Sequence, residues 1–266
     1  MFILEHVAAI GMVVAGALFA GILVSLRIGR WLGRRAIARY GDEAVPGIGS
    51  LETAVFALLG LLIAFTFSGA LERFDARRSQ VVAETNAIGT AWLRIDLVPA
   101  DAQPELRELF RRYVDSRIET YRKLPDLEAA WAEYARSQHL QTDIWAKAVT
   151  AARRPDAPAS AAMLLLPALN EMFDITTVRV VATQMHPPWI VYVMLLLLAF
   201  ASAVLAGYQS ANERGYARLH RFGFAAIVAL TVYVILDIEY PRAGWVRVDA
   251  IDQLLVDQRA SMAPAR

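Results

Sequence analysis

The sequence contains no cysteine, which excludes disulfides, a thiolate nucleophile, iron–sulfur ligation and Cys-ligated zinc. It has no excess of either charge: 27 Lys and Arg against 26 Asp and Glu leave +1, so no basic field draws the chain to nucleic acid. Its four histidines, His6, His139, His186 and His220, stand apart in the sequence, none in an HExxH or similar spacing. No metal site is expected from them. There is no GxxxxGK[ST], no GxGxxG and no GxSxG. Gly47-Ile48-Gly49 lacks the strand and third glycine that phosphate binding needs, and reads as punctuation. With no catalytic constellation and no cofactor motif, the chain is read as non-enzymatic.

What is abundant is apolar surface: 57% of the 266 residues are hydrophobic, which excludes disorder. The surplus sits in four blocks. Val7 to Leu26 is uncharged for 20 residues, enough at ~1.5 Å per residue to cover a hydrocarbon core of ~30 Å. No Lys or Arg precedes it, so it reads as a retained anchor rather than a secretory signal. Thr53 to Leu71 is the second block, after a Pro46-Gly47-Ile48-Gly49-Ser50 breaker with Ser50 as expected N-cap. Trp189 to Gly207 is the third. Phe222 to Leu236 has only 15 residues between Arg221 and Asp237; as a fourth span it would have to snorkel, thin the bilayer or lie re-entrant. Trp31, Trp189 and Trp245 fall at or beyond block ends, where amphipathic rings favour the interface.

Between the second and third blocks, Glu72 to Pro188 carry 15 basic and 16 acidic side chains, the composition of an aqueous domain. Apolar residues recur there at three to four, as in Leu106, Phe110, Tyr113, Val114, Ile118 and Tyr121. Pro99, Pro104, Pro125, Pro155 and Pro158 punctuate them. With no period-two stretch, the fold class is an all-α integral membrane protein with four transmembrane helices. The expected divisions are 1–50, first span and basic link; 51–98, second span and its extension; 99–188, helical aqueous domain; 189–238, third and fourth spans; and 239–266, a C-terminal tail. The second span does not stop at the membrane. Phe74, Val81, Ile88 and Ile95 recur every seven residues, with Thr85 and Trp92 near the companion positions, so one helix continues to Val98 and packs as a bundle or coiled-coil seam.

Several residue sets are candidates for function, each with a plainer alternative. Thr53, Ala57, Gly60, Ala64 and Ser68 share one helix face. Small residues there let a neighbouring helix approach, most simply the first span, or leave room for a pore wall. Arg27, Arg30, Trp31, Arg34 and Arg35 form an interfacial flank that attracts anionic headgroups, or a specific lipid or nucleotide site. Asn86 and Thr90 share a face at i, i+4 and read as a register-setting pair in the seam, a solvated face or a ligand site. No charge lies within any block, which argues against a proton relay; Asp237 and Glu239, just past the fourth, read as interfacial carboxylates. Within roughly 20 residues of the spans, eight arginines on the side of the two short links face six on the other, which puts those links in the cytoplasm and the aqueous domain outside.

The run from Leu58 to Pro99, LLGLLIAFTFSGALERFDARRSQVVAETNAIGTAWLRIDLVP, and LNEMFDITTVR from Leu169 to Arg179 resemble a bacterial membrane family described as bestrophin-like, remotely similar to the bestrophin anion channels. The resemblance implies a homo-oligomer in the bacterial inner membrane, a pentamer if bestrophin-like, that passes small anions. Its second transmembrane helix would line an apolar neck. Ile63, Phe67 and Leu71 match the spacing of that neck, with Phe74 next, and leucine stands where a third aromatic ring is expected. Arg73, Arg77 and Arg78 would supply charge bias at its mouth. Asp237-Ile238-Glu239-Tyr240-Pro241 is similar to the segment after the last bestrophin span, but Arg242 replaces phenylalanine and no acidic run matches a calcium clasp. The resemblance also implies a cytosolic aqueous domain, opposite to the charge count. The alternative from the residues alone is a non-conducting membrane-anchored scaffold or sensor that binds a protein partner.

Overall fold

A computed structural model describes residues 7–41, 49–124, 126–212, 217–242 and 244–263. All regular structure among them is helical: α1 (Val7–Tyr40), α2 (Gly49–Arg94), α3 (Gln103–Arg122), α4 (Leu127–Ala152), α5 (Ala159–Gln184), α6 (Trp189–Gln209), α7 (Ala217–Glu239) and α8 (Asp249–Ser261), with short 3-10 turns at Ile95–Leu97 and Ser210–Asn212. Four stretches are long and apolar enough to cross a membrane: Ala9–Tyr40, Gly49–Leu97, Ala159–Asn212, which contains α6, and Leu219–Glu239. The chain divides into two compact units. One holds residues 73–185 and 241–266, the other residues 6–72 and 186–240; α2 contributes to both.

In the unit of spans, α1, the first half of α2, α6 and α7 share a core that includes Ile22, Leu26, Leu59, Leu195, Ala199, Ala225 and Val232. Lipid is as apolar as these side chains, so close packing rather than exclusion of water must hold the helices together. Glycine supplies that packing between α1 and α6. A Cβ on Gly29 would lie 1.9 Å from the Val204 carbonyl oxygen, one on Gly207 2.2 Å from that of Leu26, and one on Gly33 2.5 Å from that of Tyr208. The backbones touch at three points. Gly29 and Gly33 are a GxxxG pair, placed among arginines just beyond the first apolar block.

The other unit is a bundle built around the second half of α2. Val81, Ile88 and Ile95, three of the four heptad residues, are at most 2% exposed. Ile88 and Ile95 share a core with Phe110, Tyr113, Ile144, Leu165 and Met172. The extended seam is therefore covered by the chain's own helices. Asp126 caps α4, its carboxylate accepting from the Ala129 N–H at 3.1 Å, and Pro104 opens α3, where a missing N–H costs nothing.

Four expectations change. Ser50 lies inside α2 after Gly49 and is not its cap; residues 46–48 of the breaker lie outside the described residues. The basic link after the first block is helical as far as Tyr40, so Arg27, Arg30, Arg34 and Arg35 extend α1. The fourth span is not short: α7 has 23 residues, because charged flanking residues end an uncharged run without ending the helix. Residues 249–261, read as part of a tail, form α8, which places Leu255 and Met262 in the bundle core. Arg259 pairs with Asp115 through two hydrogen bonds of 2.8 and 3.1 Å.

The glycine contacts predict a contrast. Gly29→Ala or Gly207→Ala drives a methyl group into backbone, where overpacking costs about 1–3 kcal/mol or more. Gly16→Ala meets nothing within 4 Å and gains helix propensity of about 1 kcal/mol. Thermal unfolding of the detergent-purified protein should show a Tm lowered by several degrees for the first two and unchanged or raised for the third.

Candidate functional site

The span portion of α2 has two unlike faces. Leu59, Thr66 and Ala70 are buried, and the Thr66 hydroxyl donates back to the Leu62 carbonyl at 2.7 Å. Thr53, Ala57, Gly60, Ala64 and Ser68 are all exposed in the single chain, and a Cβ on Gly60 would meet nothing within 4 Å. The simplest sequence reading of this face, packing against the first span, is corrected: on α1, Gly21, Gly29 and Gly33 face α6 and Gly11 faces Tyr233 of α7. The Thr53 hydroxyl is engaged by the Gly49 carbonyl at 2.7 Å.

Ile63, Phe67 and Leu71 border the same bare face. Each i+4 step advances ~40° around a helix of 3.6 residues per turn, so the triplet precesses from the buried side into the small-residue stripe. Exposure rises accordingly: Ile63 is half-buried, Phe67 is 36% exposed and Leu71 42%. Phe74 is half-buried, with the Arg78 guanidinium 5.7 Å from its ring centroid.

The three arginines that follow are not equivalent. Arg77 is 9% exposed and donates to the carbonyl oxygens of Ala182 and Met185 at 3.1 and 3.0 Å. Its cation thus sits at the C-terminal end of α5, where unpaired carbonyls and the helix dipole favour positive charge. Arg73 is half-buried, while Arg78 is exposed beside Asp75 at 3.4 Å. Of the interfacial set, Trp31 is 57% exposed with Arg35 stacked 5.4 Å from its ring centroid, and Arg27 and Arg34 are exposed. Asn86 is exposed and Thr90 half-buried. The structure does not bring these sets into one cluster.

Sequence reasoning missed a buried charge network in the bundle. Glu84, wholly buried, accepts from Arg117 Nε at 2.6 Å and also pairs with Arg179. Arg179 reaches Asp252 Oδ1 at 3.3 Å, and Arg242 holds Asp252 Oδ2 at 2.7 Å. Tyr121 lies against all three guanidiniums, their central carbons 3.9 Å (Arg179), 4.7 Å (Arg242) and 5.2 Å (Arg117) from its ring centroid. Its hydroxyl accepts from Arg117 Nη2 at 2.8 Å. Burial disfavours the Arg117 charge, but the adjacent Glu84 carboxylate outweighs it and raises the guanidinium's proton affinity. Nearby, burial pushes the Tyr113 phenol up to about 12, and that phenol and the Thr176 hydroxyl share a 2.9 Å hydrogen bond. One signal was available. Glu84 lies three residues after Val81 and four before Ile88, on the apolar face, and Arg117 occupies the same kind of position after Tyr113.

Asp237 and Glu239, at the end of the fourth span, pack into the chain. Both are buried within the chain, at 7% and 0% exposure. Glu239 Oε1 is 3.0 Å from His186 Nδ1, whose ring stacks on Tyr240 at 4.6 Å. Among the described residues no group of three or more His, Asp or Glu is placed to hold a metal ion.

The family model for the bestrophin-like domain matches residues 16–251. No curated protein matches. Solved structures of a bacterial bestrophin homolog from Klebsiella pneumoniae share the fold. Its L177T variant gives a TM-score of 0.68 at 12% identity, covering 92% of this chain and 98% of that one. A structure obtained by Zn-SAD phasing gives 0.64 at 13%, covering 90% and 97%, and the Y211A variant 0.63 at 14%, covering 90% and 99%.

The network yields a prediction. Glu84→Gln leaves Arg117 and Arg179 buried without their shared carboxylate, a loss of about 3–5 kcal/mol. Adding Arg117→Met and Arg179→Met to that variant removes the stranded charges. In thermal unfolding, Glu84→Gln alone should fall furthest below the wild type and the triple variant should recover part of the difference.

Proposed function

The chain belongs to the bestrophin-like family, and from that membership we propose that it forms a homo-oligomeric channel for small anions in the bacterial inner membrane, a pentamer by analogy with the bestrophins. The observation that carries the proposal is the bare face of α2. Five small or hydroxyl side chains form a stripe, with Phe67 and Leu71 beside it and the exposed Leu58, Leu61 and Phe65 flanking it, on a span whose opposite side is already buried in its own chain. Copies arranged about an axis would cover the stripe and point the same helix inward, as closed cyclic assemblies require.

In this reading Ile63, Phe67 and Leu71 form the neck. A constriction of apolar side chains gates by wetting and does not by itself choose the sign of the ion. Selectivity then falls to charges further along α2. Arg73 and Arg78 remain candidates, whereas Arg77 caps α5. Such a channel needs no cofactor, and its partners are lipid, other copies of the chain and the permeant anion.

Two measurements test it. Chloride efflux from proteoliposomes should be detectable for the wild type and rise at least severalfold in an Ile63→Ala/Phe67→Ala/Leu71→Ala variant. No flux from either, with assembled protein verified in the same vesicles, would replace the channel with a non-conducting scaffold. In planar bilayers, Arg73→Glu with Arg78→Glu should move the reversal potential toward that of cations. An unchanged potential would remove these arginines from the selectivity mechanism.

A further inference from the structure

The arginine-rich end of α1 presents a face that the channel reading leaves unused. Helix α1 runs from Val7 to Tyr40 without a break, so its last turns carry Arg27, Arg34, Arg35 and Arg39 beyond the apolar block on the same rigid element. We propose that this face binds one anionic glycerophospholipid, its headgroup phosphate held by Arg27, Arg34 and Arg35 and an acyl chain lying along Val24 and Ile28.

Packing fixes the rotation of the helix. Gly29 and Gly33 bring α1 against the backbone of α6. At ~100° per residue, Arg27, Trp31, Arg34 and Arg35 then fall on the side away from α6, and all four are exposed. Val24 and Ile28, also exposed, continue that side toward the apolar block. One stripe thus passes from aliphatic side chains to guanidiniums. Between them stands the Trp31 ring, its centroid 5.4 Å from the central carbon of the Arg35 guanidinium, and an amphipathic ring favours headgroup depth.

Charge selects the headgroup. Helix α1 contains no Asp or Glu, and among the described residues Arg27, Arg34 and Arg35 make no ion pair; Glu52, in the first turn of α2, pairs with none of them. Guanidiniums without carboxylates favour a net anion over a zwitterion, whose ammonium group would find no partner on this face. Depth agrees with the assignment. Arg27 directly follows the apolar block, where the headgroup layer begins, and Arg34 lies two turns, ~10 Å, further out, within reach of the same layer along its aliphatic stem. The apolar run beside the cations suits a lipid rather than a free ion. The site is independent of the channel reading, because its occupancy is measured without ion flux.

The test uses brominated lipids as contact quenchers of tryptophan in the full-length protein, reconstituted in phosphatidylcholine vesicles. The Trp31 signal is the difference between the wild type and Trp31→Phe. Brominated phosphatidylglycerol should quench it with an apparent affinity about fivefold or more above that of brominated phosphatidylcholine, the weight of one arginine at an anionic surface. Arg34→Gln should remove most of that preference. Arg39→Gln takes the same charge from the same helix, but from a quarter-turn or more off the face, and should leave the preference intact. Both positions are exposed and glutamine is a good helix former, so the fold is kept. Equal losses in the two variants would mean a diffuse interfacial charge, and equal quenching by the two lipids would mean no selection of an anion; either result overturns the proposal. Inorganic phosphate that erases the preference would assign the cations to the free ion instead. A Trp31 signal that neither lipid quenches would overturn the proposal too, the face then being covered by another copy of the chain.

Discussion

A helix that leaves the bilayer and continues into an aqueous bundle has to satisfy two solvents with one uninterrupted backbone, and α2 is that helix. Its 46 residues span about 70 Å at ~1.5 Å per residue. In the bundle the heptad residues Val81, Ile88 and Ile95 are buried within the single chain. In the span, Leu59, Thr66 and Ala70 are buried likewise, but Thr53, Ala57, Gly60, Ala64 and Ser68 are exposed in the single chain. Small side chains facing lipid give up the close helix contact that their size permits. The unfinished packing of α2, set in a family of membrane proteins, is what points to assembly.

The buried charges do a different job from the one that charged residues near a membrane usually suggest. Glu84 on α2 joins Arg117 on α3 to Arg179 on α5, and Asp252 on α8 extends the connection to Arg242. Such pairs add little net stability over an apolar core, because burying the ions costs several kcal/mol each. They do fix which helices meet and in what register, since a shifted helix would strand a buried charge. Glu84 and Arg179 lie in the two sequence stretches that resemble the family, 58–99 and 169–179. The ion pair therefore joins these two stretches in space.

What was legible from sequence follows from the kind of signal each element carries. The all-α class, the spans and the heptad extension are periodic or contiguous patterns, and they appear where the pattern put them. The uncharged run of the fourth span understates its helix, because the run stops at Arg221 and Asp237 whereas the helix continues past both, from Ala217 to Glu239, with Asp237 buried. The Gly29 and Gly33 contact was overlooked for a related reason: arginines surround it, so it fell outside the apolar block. The charge network was hidden because Glu84, Arg117 and Arg179 are separated by 33 and 95 residues in the two pairs. A charged side chain on an apolar face becomes informative only when a partner is brought to it. Arg77 shows the same limit, since nothing local reveals that its cation closes the end of α5.

In the proposed oligomer, copies of the same chain complete the bare face of α2, and the absence of native cysteine allows that contact to be probed with single thiols. Single cysteines at Ala57 and Ala64 on that face, and at Leu59 on the buried face, would be treated in native-like membranes with an oxidant or a short bismaleimide. Ala57→Cys and Ala64→Cys should give covalent oligomers and Leu59→Cys none. Monomer from both exposed-face variants, with the thiols shown to be reactive, would contradict it.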